Sequence, residues 1–264
     1  GGAGNDTIAF ANANVGATDS VDGGDGTDVV EFQSQGAAHA VVDDDFTLFS
    51  NVETVTTTAD AQMVLTLDDQ AAEAGINKVI FNDTTNSSDT LTVGANFTNN
   101  LSVTLTNDTN EDAKIDASAY TKSLTVIAND SDIDTNVTTI TGGTGSDTLQ
   151  ITTTTGAITI SDTALAAVTA VEKFEVLGDD AIGITLDNNN AADGATLTVD
   201  ASAATGVVTL SASDEQDGKV VITTGTAADV VTVSNSDLGD NITTGAGNDD
   251  IKVDNGDLTS IDTI

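Results

Sequence analysis

The stretch Gly23-Gly-Asp-Gly-Thr-Asp-Val-Val30 decides how this chain folds, because close copies of it recur along the sequence. The pattern is G-G-x-G-x-D-x-U, in which U is apolar. It recurs from residues 1 and 142, and from residue 244 with Thr in the first position, and a worn copy begins at residue 224. The glycines allow a sharp turn, the aspartate offers hard oxygen ligands, and the apolar residue starts a strand. Repeats of this form are typical of solenoids whose stacked turns hold Ca²⁺.

The spacing of these copies predicts the architecture. A shift of 22 residues places Ile8 on Val30 and Phe10 on Phe32, and a shift of 20 places Val231 on Ile251. A step of about 20 residues is one coil of a solenoid. Many short segments alternate apolar residues with Thr or Ser, the period of a β-strand, and the chain has no proline to interrupt a ladder. The sequence therefore predicts an all-β, parallel β-solenoid, with short Ala-rich helices at 68–74 and 163–171.

A longer repeat divides the chain. A shift of 119 residues places 22–32 on 141–151. The sequence begins within a motif, so we interpret it as a segment of a longer protein. We predict four consecutive segments without a linker between them: paired coils at 1–32, a first long repeat at 33–140, a second at 141–222, and paired coils with the start of a third repeat at 223–264.

The charge of the chain excludes several classes of partner. It has 43 acidic residues against 6 lysines and no arginine, which gives a formal net charge of −37. Nucleic acid binding requires clustered Lys and Arg, so nucleic acid is excluded as a partner. No apolar run is long enough to span a membrane, so no membrane insertion is expected. Carboxylates at this density repel one another, and Ca²⁺ is the natural cation to offset them.

Catalysis is not expected either. The single histidine, His39, has no nucleophile or orienting partner that the sequence can identify. Tyr120 is the only tyrosine and there is no tryptophan, which argues against an aromatic platform for sugars. Polysaccharide lyases and epimerases built on β-helices handle anionic sugars with Arg, Lys, His or Tyr, and this chain is poorly equipped for that. We predict that it is not an enzyme.

The Gly-Asp phrase resembles the repeat of RTX (haemolysin-type) calcium-binding proteins. The resemblance implies a right-handed β-roll or β-helix with calcium between stacked Gly-Asp turns. It also implies that the motif aspartates are the side-chain ligands and that flanking strand ends offer further ones. The motif aspartates are Asp6, Asp28, Asp147, Asp229 and Asp249, and the flanking ones are Asp19, Asp22 and Asp240. Two features depart from the family: long tandem arrays of nonapeptides are absent, and Ala227 stands where the pattern has glycine.

A second motif follows the turns. An acid lies between apolar residues in Asn51-Val-Glu-Thr-Val55, in Ala170-Val-Glu-Lys-Phe174 and in Ser260-Ile-Asp-Thr-Ile264. The combination resembles the crystalline-array regions of calcium-dependent bacterial surface-layer proteins, the Caulobacter type in particular, and it also occurs in large secreted RTX adhesins. Two roles for the acid stay open: it caps a corner of the solenoid, or it also contacts a metal.

The resemblance implies a structural role outside the cell. It implies a secreted surface-layer (S-layer) segment on the bacterial cell surface that binds Ca²⁺ and self-assembles through calcium into a layer or filament. Contact with cell-surface polysaccharide is expected through a region outside this sequence. The absence of cysteine is consistent with an exported protein stabilised by metal rather than by disulfides. The alternative is a calcium-binding β-roll or spacer module of a large RTX adhesin.

Overall fold

The chain forms two compact units. The structure, a computed structural model, describes residues 1–11, 15–33, 39–58, 62–82, 88–106, 113–129, 132–133, 138–152, 156–236, 238–253, 260 and 262–264. Unit 1 comprises residues 1–127 with 136–145, and unit 2 comprises 128–135 with 146–264. Each unit is built from short parallel strands stacked coil upon coil, with very little helix. The predicted all-β, parallel β-solenoid is therefore confirmed.

Fifteen strands begin in unit 1. They are β1 (Gly2–Ala3), β2 (Thr7–Ala11), β3 (Val21–Asp22), β4 (Gly24–Asp25), β5 (Val29–Gln33), β6 (His39–Val41), β7 (Phe49–Ser50), β8 (Thr54–Thr57), β9 (Met63–Leu67), β10 (Lys78–Asn82), β11 (Thr90–Val93), β12 (Leu101–Thr106), β13 (Lys114–Asp116), β14 (Leu124–Asn129) and β15 (Thr139–Thr141). The main sheet of this unit has the order β2-β5-β8-β10-β12-β14, and its second sheet has the order β6-β9-β11-β13-β15. Two small pairs, β1 with β4 and β3 with β7, line the first corners.

Unit 2 follows the same plan. Its strands are β16 (Thr148–Thr152), β17 (Ile158–Ile160), β18 (Val168–Thr169), β19 (Lys173–Leu177), β20 (Ile182–Thr185), β21 (Thr196–Asp200), β22 (Val208–Ser211), β23 (Lys219–Thr223), β24 (Val230–Thr232), β25 (Asn241–Thr243) and β26 (Asp250–Lys252). The main sheet of this unit has the order β16-β19-β21-β23-β25, and its second sheet has the order β17-β20-β22-β24-β26.

The register of the strands matches the repeat of the sequence. Ile8 pairs with Val30 and Phe10 with Phe32, which is the predicted step of 22 residues. Val231 pairs with Ile251, which is the predicted step of 20. Because parallel strands stack like on like, the same apolar residues form continuous columns inside each unit. The predicted coil steps are confirmed.

Short helical segments interrupt the strands, among them η1 (Asp43–Phe46), α1 (Asp69–Ala74) and α2 (Asp162–Leu165). Helix α1 buries its alanines and ends at Gly75, whose φ of 105° is the left-handed conformation common after a helix. The helix predicted at 68–74 is confirmed. The one predicted at 163–171 is shorter than expected, because the chain becomes strand again at the buried, β-branched Val168.

The boundaries of the four predicted segments stay a prediction, because the division into two compact units does not test them. Within the described ranges, no helix is both long and apolar enough to cross a membrane.

Candidate functional site: the Gly-Asp turns

The glycines of the motif lie where two coils approach most closely. A Cβ atom on Gly24 would lie 2.2 Å from the carbonyl oxygen of Gly2, one coil earlier. A Cβ on Gly245 would lie 2.1 Å from the carbonyl oxygen of Gly225. No side chain fits at such distances, so the pattern keeps glycine there for stacking as well as for the turn.

The motif aspartates reach back one coil. Oδ1 of Asp28 accepts a hydrogen bond from the backbone N–H of Asp6 at 2.7 Å. In unit 2, Oδ1 of Asp249 accepts one from the N–H of Asp229 at 3.0 Å. The structure therefore brings together both predicted pairs of motif aspartates. In each pair, the aspartate that comes later in the sequence accepts a hydrogen bond from a backbone N–H that does not take part in the hydrogen bonds between strands.

The acid of the second motif continues this ladder of carboxylates. Each such acid accepts the backbone N–H of an aspartate one coil earlier, and the three contacts are Glu53 Oε2 to Asp28, Glu172 Oε2 to Asp147, and Asp262 Oδ1 to Asp240, all at 2.7 Å. The residues that begin the motif in the first two copies, Asn51 and Ala170, have φ of 54° and 53°, so the chain turns sharply just before the acid. The interpretation that this acid caps a corner of the solenoid is confirmed.

Removal of one cap gives a direct prediction. We expect Glu53→Ala to lower the free energy of unfolding by about 1–3 kcal/mol, because the N–H of the fully buried Asp28 then loses its acceptor. Glu53→Gln keeps an amide oxygen in the same place and is expected to cost less. Urea unfolding of both variants in excess calcium measures the difference. Equal losses would show that charge, and not the hydrogen bond, is what matters at this corner.

Two of the predicted ligands carry a buried oxygen atom without a partner. Asp28 and Asp229 are both fully buried, with 0% of their surface exposed. Oδ2 of each accepts no hydrogen bond from any described residue. A buried carboxylate oxygen in this state costs free energy unless a cation or donor compensates it. These two atoms therefore point to a positively charged ligand.

A backbone carbonyl oxygen lies near the unpartnered oxygen of Asp28. A Cβ built on Gly23 would lie 2.6 Å from Asp28 Oδ2 and 1.8 Å from the carbonyl oxygen of Asn51. Carboxylate and carbonyl oxygens are the ligands that Ca²⁺ prefers. Among the described residues, no group of three or more His, Cys, Asp or Glu side chains could hold a metal ion. An ion at this turn would thus depend on backbone carbonyls, and the carbonyl oxygen of Asn51 is one that lies close to Asp28 Oδ2.

The other predicted ligands are engaged in hydrogen bonds with the protein. Asp6 Oδ2 accepts the N–H of Gly2 at 2.8 Å, Asp19 Oδ2 that of Gly16 at 2.9 Å, and Asp22 Oδ1 the side-chain amide of Asn51 at 2.8 Å. Both oxygens of Asp240 are used, by the N–H of Val220 at 2.9 Å and by the hydroxyl of Ser234 at 2.5 Å. Asp147 is 1% exposed and immediately precedes β16. Asp28 and Asp229 are thus the strongest candidates for ligands.

One charged cluster on the outer face of unit 2 was not expected from the sequence. Lys173 Nζ lies 2.9 Å from Glu175 Oε1 and 3.0 Å from Asp200 Oδ2. Hydrogen bonds to Glu175 and Asp200 raise the pKa of Lys173. The pKa of Glu175 is lowered by hydrogen bonds from Gln150 and then Lys173, and that of Asp200 by those from Ser202 and then Lys173. The stability that these ion pairs contribute is therefore lost as the pH falls through the lowered pKa values of Glu175 and Asp200. It is also lost as the pH rises through the raised pKa of Lys173.

Comparison with known proteins does not identify a family for this chain. No family model matches the chain, and neither a curated protein nor a solved structure matches it. The resemblance to RTX and surface-layer proteins therefore rests on the motifs quoted above, and it stays a prediction.

Proposed function

We propose that this chain is a structural segment of a calcium-dependent bacterial surface layer, in which Ca²⁺ stabilises the Gly-Asp turns and supports association between copies. The observation that carries the proposal is the pair of fully buried, unpartnered carboxylate oxygens, Oδ2 of Asp28 and Oδ2 of Asp229. Both belong to the motif that resembles the RTX repeat. The ligands that we propose for calcium are these two oxygens, together with the carbonyl oxygen of Asn51 at the Gly23–Asp28 turn.

Three residues around the Gly23–Asp28 turn would support a bound ion. Asp28 would neutralise part of the charge of the ion, and the carbonyl oxygen of Asn51 would be one of its ligands. Glu53 holds the backbone of Asp28 in position through the 2.7 Å hydrogen bond to its N–H. Calcium would supply the positive charge that a chain of formal net charge −37 lacks.

The same charge argument supports association through calcium. Two surfaces rich in Asp and Glu repel each other at close range, and monovalent salt only screens that repulsion. A divalent cation shared between two copies turns the repulsion into a contact. We place the assembly outside the cell, on the bacterial surface, with any contact to surface polysaccharide made by a region beyond this sequence.

Assembly in calcium tests this proposal. We expect light scattering of the purified chain to rise in millimolar CaCl₂ and to stay low in NaCl of the same ionic strength, because calcium bridges carboxylates and sodium only screens them. Equal scattering in both salts, or in neither, would contradict a layer-forming role. It would favour the alternative, an isolated β-roll module of a large secreted adhesin.

A further inference from the structure

Two Gly-Asp turns, one that begins at Gly23 in unit 1 and one that begins at Thr224 in unit 2, can be compared contact by contact. The N–H of Gly23 donates to the carbonyl oxygen of Ser50 at 3.0 Å. The N–H of Thr224 donates to the carbonyl oxygen of Thr243 at 2.9 Å. Each bond joins the first position of the motif to the next coil, so the carbonyl group that follows each acceptor has the same place in the two turns.

The aspartates of the two turns also match. Oδ1 of Asp28 accepts the N–H of Asp6, in the preceding coil, at 2.7 Å. Oδ1 of Asp229 accepts the N–H of Val208, also in the preceding coil, at 2.8 Å. Both aspartates are fully buried, and Oδ2 of each has no partner among the described residues. The two turns therefore present the same unpartnered oxygen in the same setting.

The first position of the motif is where the two turns differ. Gly23 has no side chain, and no described residue donates a hydrogen bond to the carbonyl oxygen of Asn51, which lies beside it. Thr224 is 2% exposed, and its hydroxyl donates to the equivalent carbonyl oxygen, that of Thr244, at 3.0 Å. The carbonyl oxygen that could bind an ion in unit 1 thus already accepts a hydrogen bond in unit 2.

This difference matters for calcium because the ion requires about 6–8 oxygen ligands, each at about 2.3–2.6 Å. Beside Gly23, a single point lies 1.8 Å from the carbonyl oxygen of Asn51 and 2.6 Å from Asp28 Oδ2, so both oxygens are close enough together to share an ion. In unit 2, the hydroxyl hydrogen of Thr224 lies against the carbonyl oxygen of Thr244. An ion would have to compete with that hydrogen bond.

We propose that the residue at the first position of the motif sets the calcium affinity of its turn, with the Gly23 turn as the tighter site and the Thr224 turn as the weaker one. This inference rests on the proposed binding of calcium and adds an order of filling to it. Unit 1 would bind its ion at the lower calcium concentration. Unit 2 would be the part of the chain whose stability follows the calcium concentration at higher values.

Isothermal titration calorimetry in the Asp28→Asn chain tests this proposal, because that chain lacks the charged ligand of unit 1. We expect Thr224→Gly to tighten the remaining calcium binding about tenfold, since a factor of ten corresponds to about 1.4 kcal/mol, the size of one hydrogen bond. Thr224→Ser is the matched control, because it keeps the hydroxyl and should bind like the Asp28→Asn chain. NaCl in the buffer screens the surface carboxylates and limits non-specific binding.

The melting temperature gives a second measurement, which does not depend on the heat of binding. Thr224→Gly loses a hydrogen bond and a buried side chain, so it should melt below the Asp28→Asn chain in EDTA. Its melting temperature should nevertheless rise more between EDTA and CaCl₂, because the tighter site stabilises the folded state more. Thr224→Ser should show the same rise as the Asp28→Asn chain.

Three results would overturn the inference and leave calcium binding in place. Thr224→Gly binds calcium no more tightly than the Asp28→Asn chain, or Thr224→Ser tightens binding as much as Thr224→Gly, so that the hydroxyl is not the cause. In the third, Thr224→Gly has the same effect in an Asp229→Asn chain, which shows that the gain does not come from this turn. If the wild-type chain and all variants fail to bind calcium, the proposed function itself is wrong.

Discussion

Chelation of calcium is expected to lower the melting temperature by about 10 °C. A ligand that binds only the folded state at a thousandfold excess over its Kd stabilises that state by about 4 kcal/mol, and each kcal/mol shifts the melting temperature of a chain of this size by about 2–4 °C. Calcium ions would be held separately, one at Asp28 Oδ2 in unit 1 and one at Asp229 Oδ2 in unit 2, because both oxygens are buried and have no partner among the described residues. Differential scanning calorimetry in CaCl₂ and in EDTA measures the shift. An equal melting temperature in CaCl₂ and in EDTA would contradict the calcium proposal.

The variant Asp28→Asn sharpens this prediction, because its effect is expected to change sign with calcium. In calcium, the loss of a charged ligand should lower the melting temperature. In EDTA, the same change removes a buried charge that has one unpartnered oxygen, so the variant should be as stable as the wild type or more stable. The amide oxygen can still accept the N–H of Asp6.

Asp240→Asn provides the matched control for a buried aspartate. Both oxygens of Asp240 accept hydrogen bonds, so the amide would place an NH₂ group against a donor. We expect a lower melting temperature in CaCl₂ and in EDTA alike, with the stabilisation by calcium unchanged. If Asp28→Asn and Asp240→Asn lose the same amount of calcium stabilisation, overall charge binds the metal and the motif does not.

Gly143→Ala is expected to be strongly destabilising, although it adds only one methyl group to a turn. Its Cβ would lie 2.0 Å from the carbonyl oxygen of Tyr120 and 2.8 Å from that of Ala117. Both neighbours are backbone atoms next to completely buried side chains, so neither can move without displacing the core. We expect a loss of about 3 kcal/mol or more in the free energy of unfolding, at or above the upper end of the usual cost of overpacking.

Gly2→Ala is the control for this substitution, since it adds the same methyl group at the same position of the first turn. No described atom lies within 4 Å of its Cβ, so stability should not fall. Chemical denaturation of both variants at a concentration too low for assembly measures the difference. Similar losses would show that backbone entropy, and not the close approach of coils, explains the motif glycines.

The sequence by itself determined the fold class and the coil steps. Parallel coils stack like on like, so a repeated motif predicts the register directly. The pairing of Phe10 with Phe32 follows from the spacing of two copies of the Gly-Asp motif. Local composition was enough for helix α1, where alanine dominates and Gly75 ends the helix. Farther along, the burial of Val168 overrides the helical preference of its neighbours, and no local pattern reports burial.

Only the tertiary structure decided which acids could serve a metal. Asp28 and Asp240 are both buried acids at the start of main-sheet strands, yet one has an unpartnered oxygen and the other has none. The difference arises from Ser234, which reaches Asp240, and from Asn51, whose carbonyl lies beside Gly23. The sequence supplied the pattern of Gly and Asp, but hydrogen bonding and burial depend on residues that are brought together only when the coils stack.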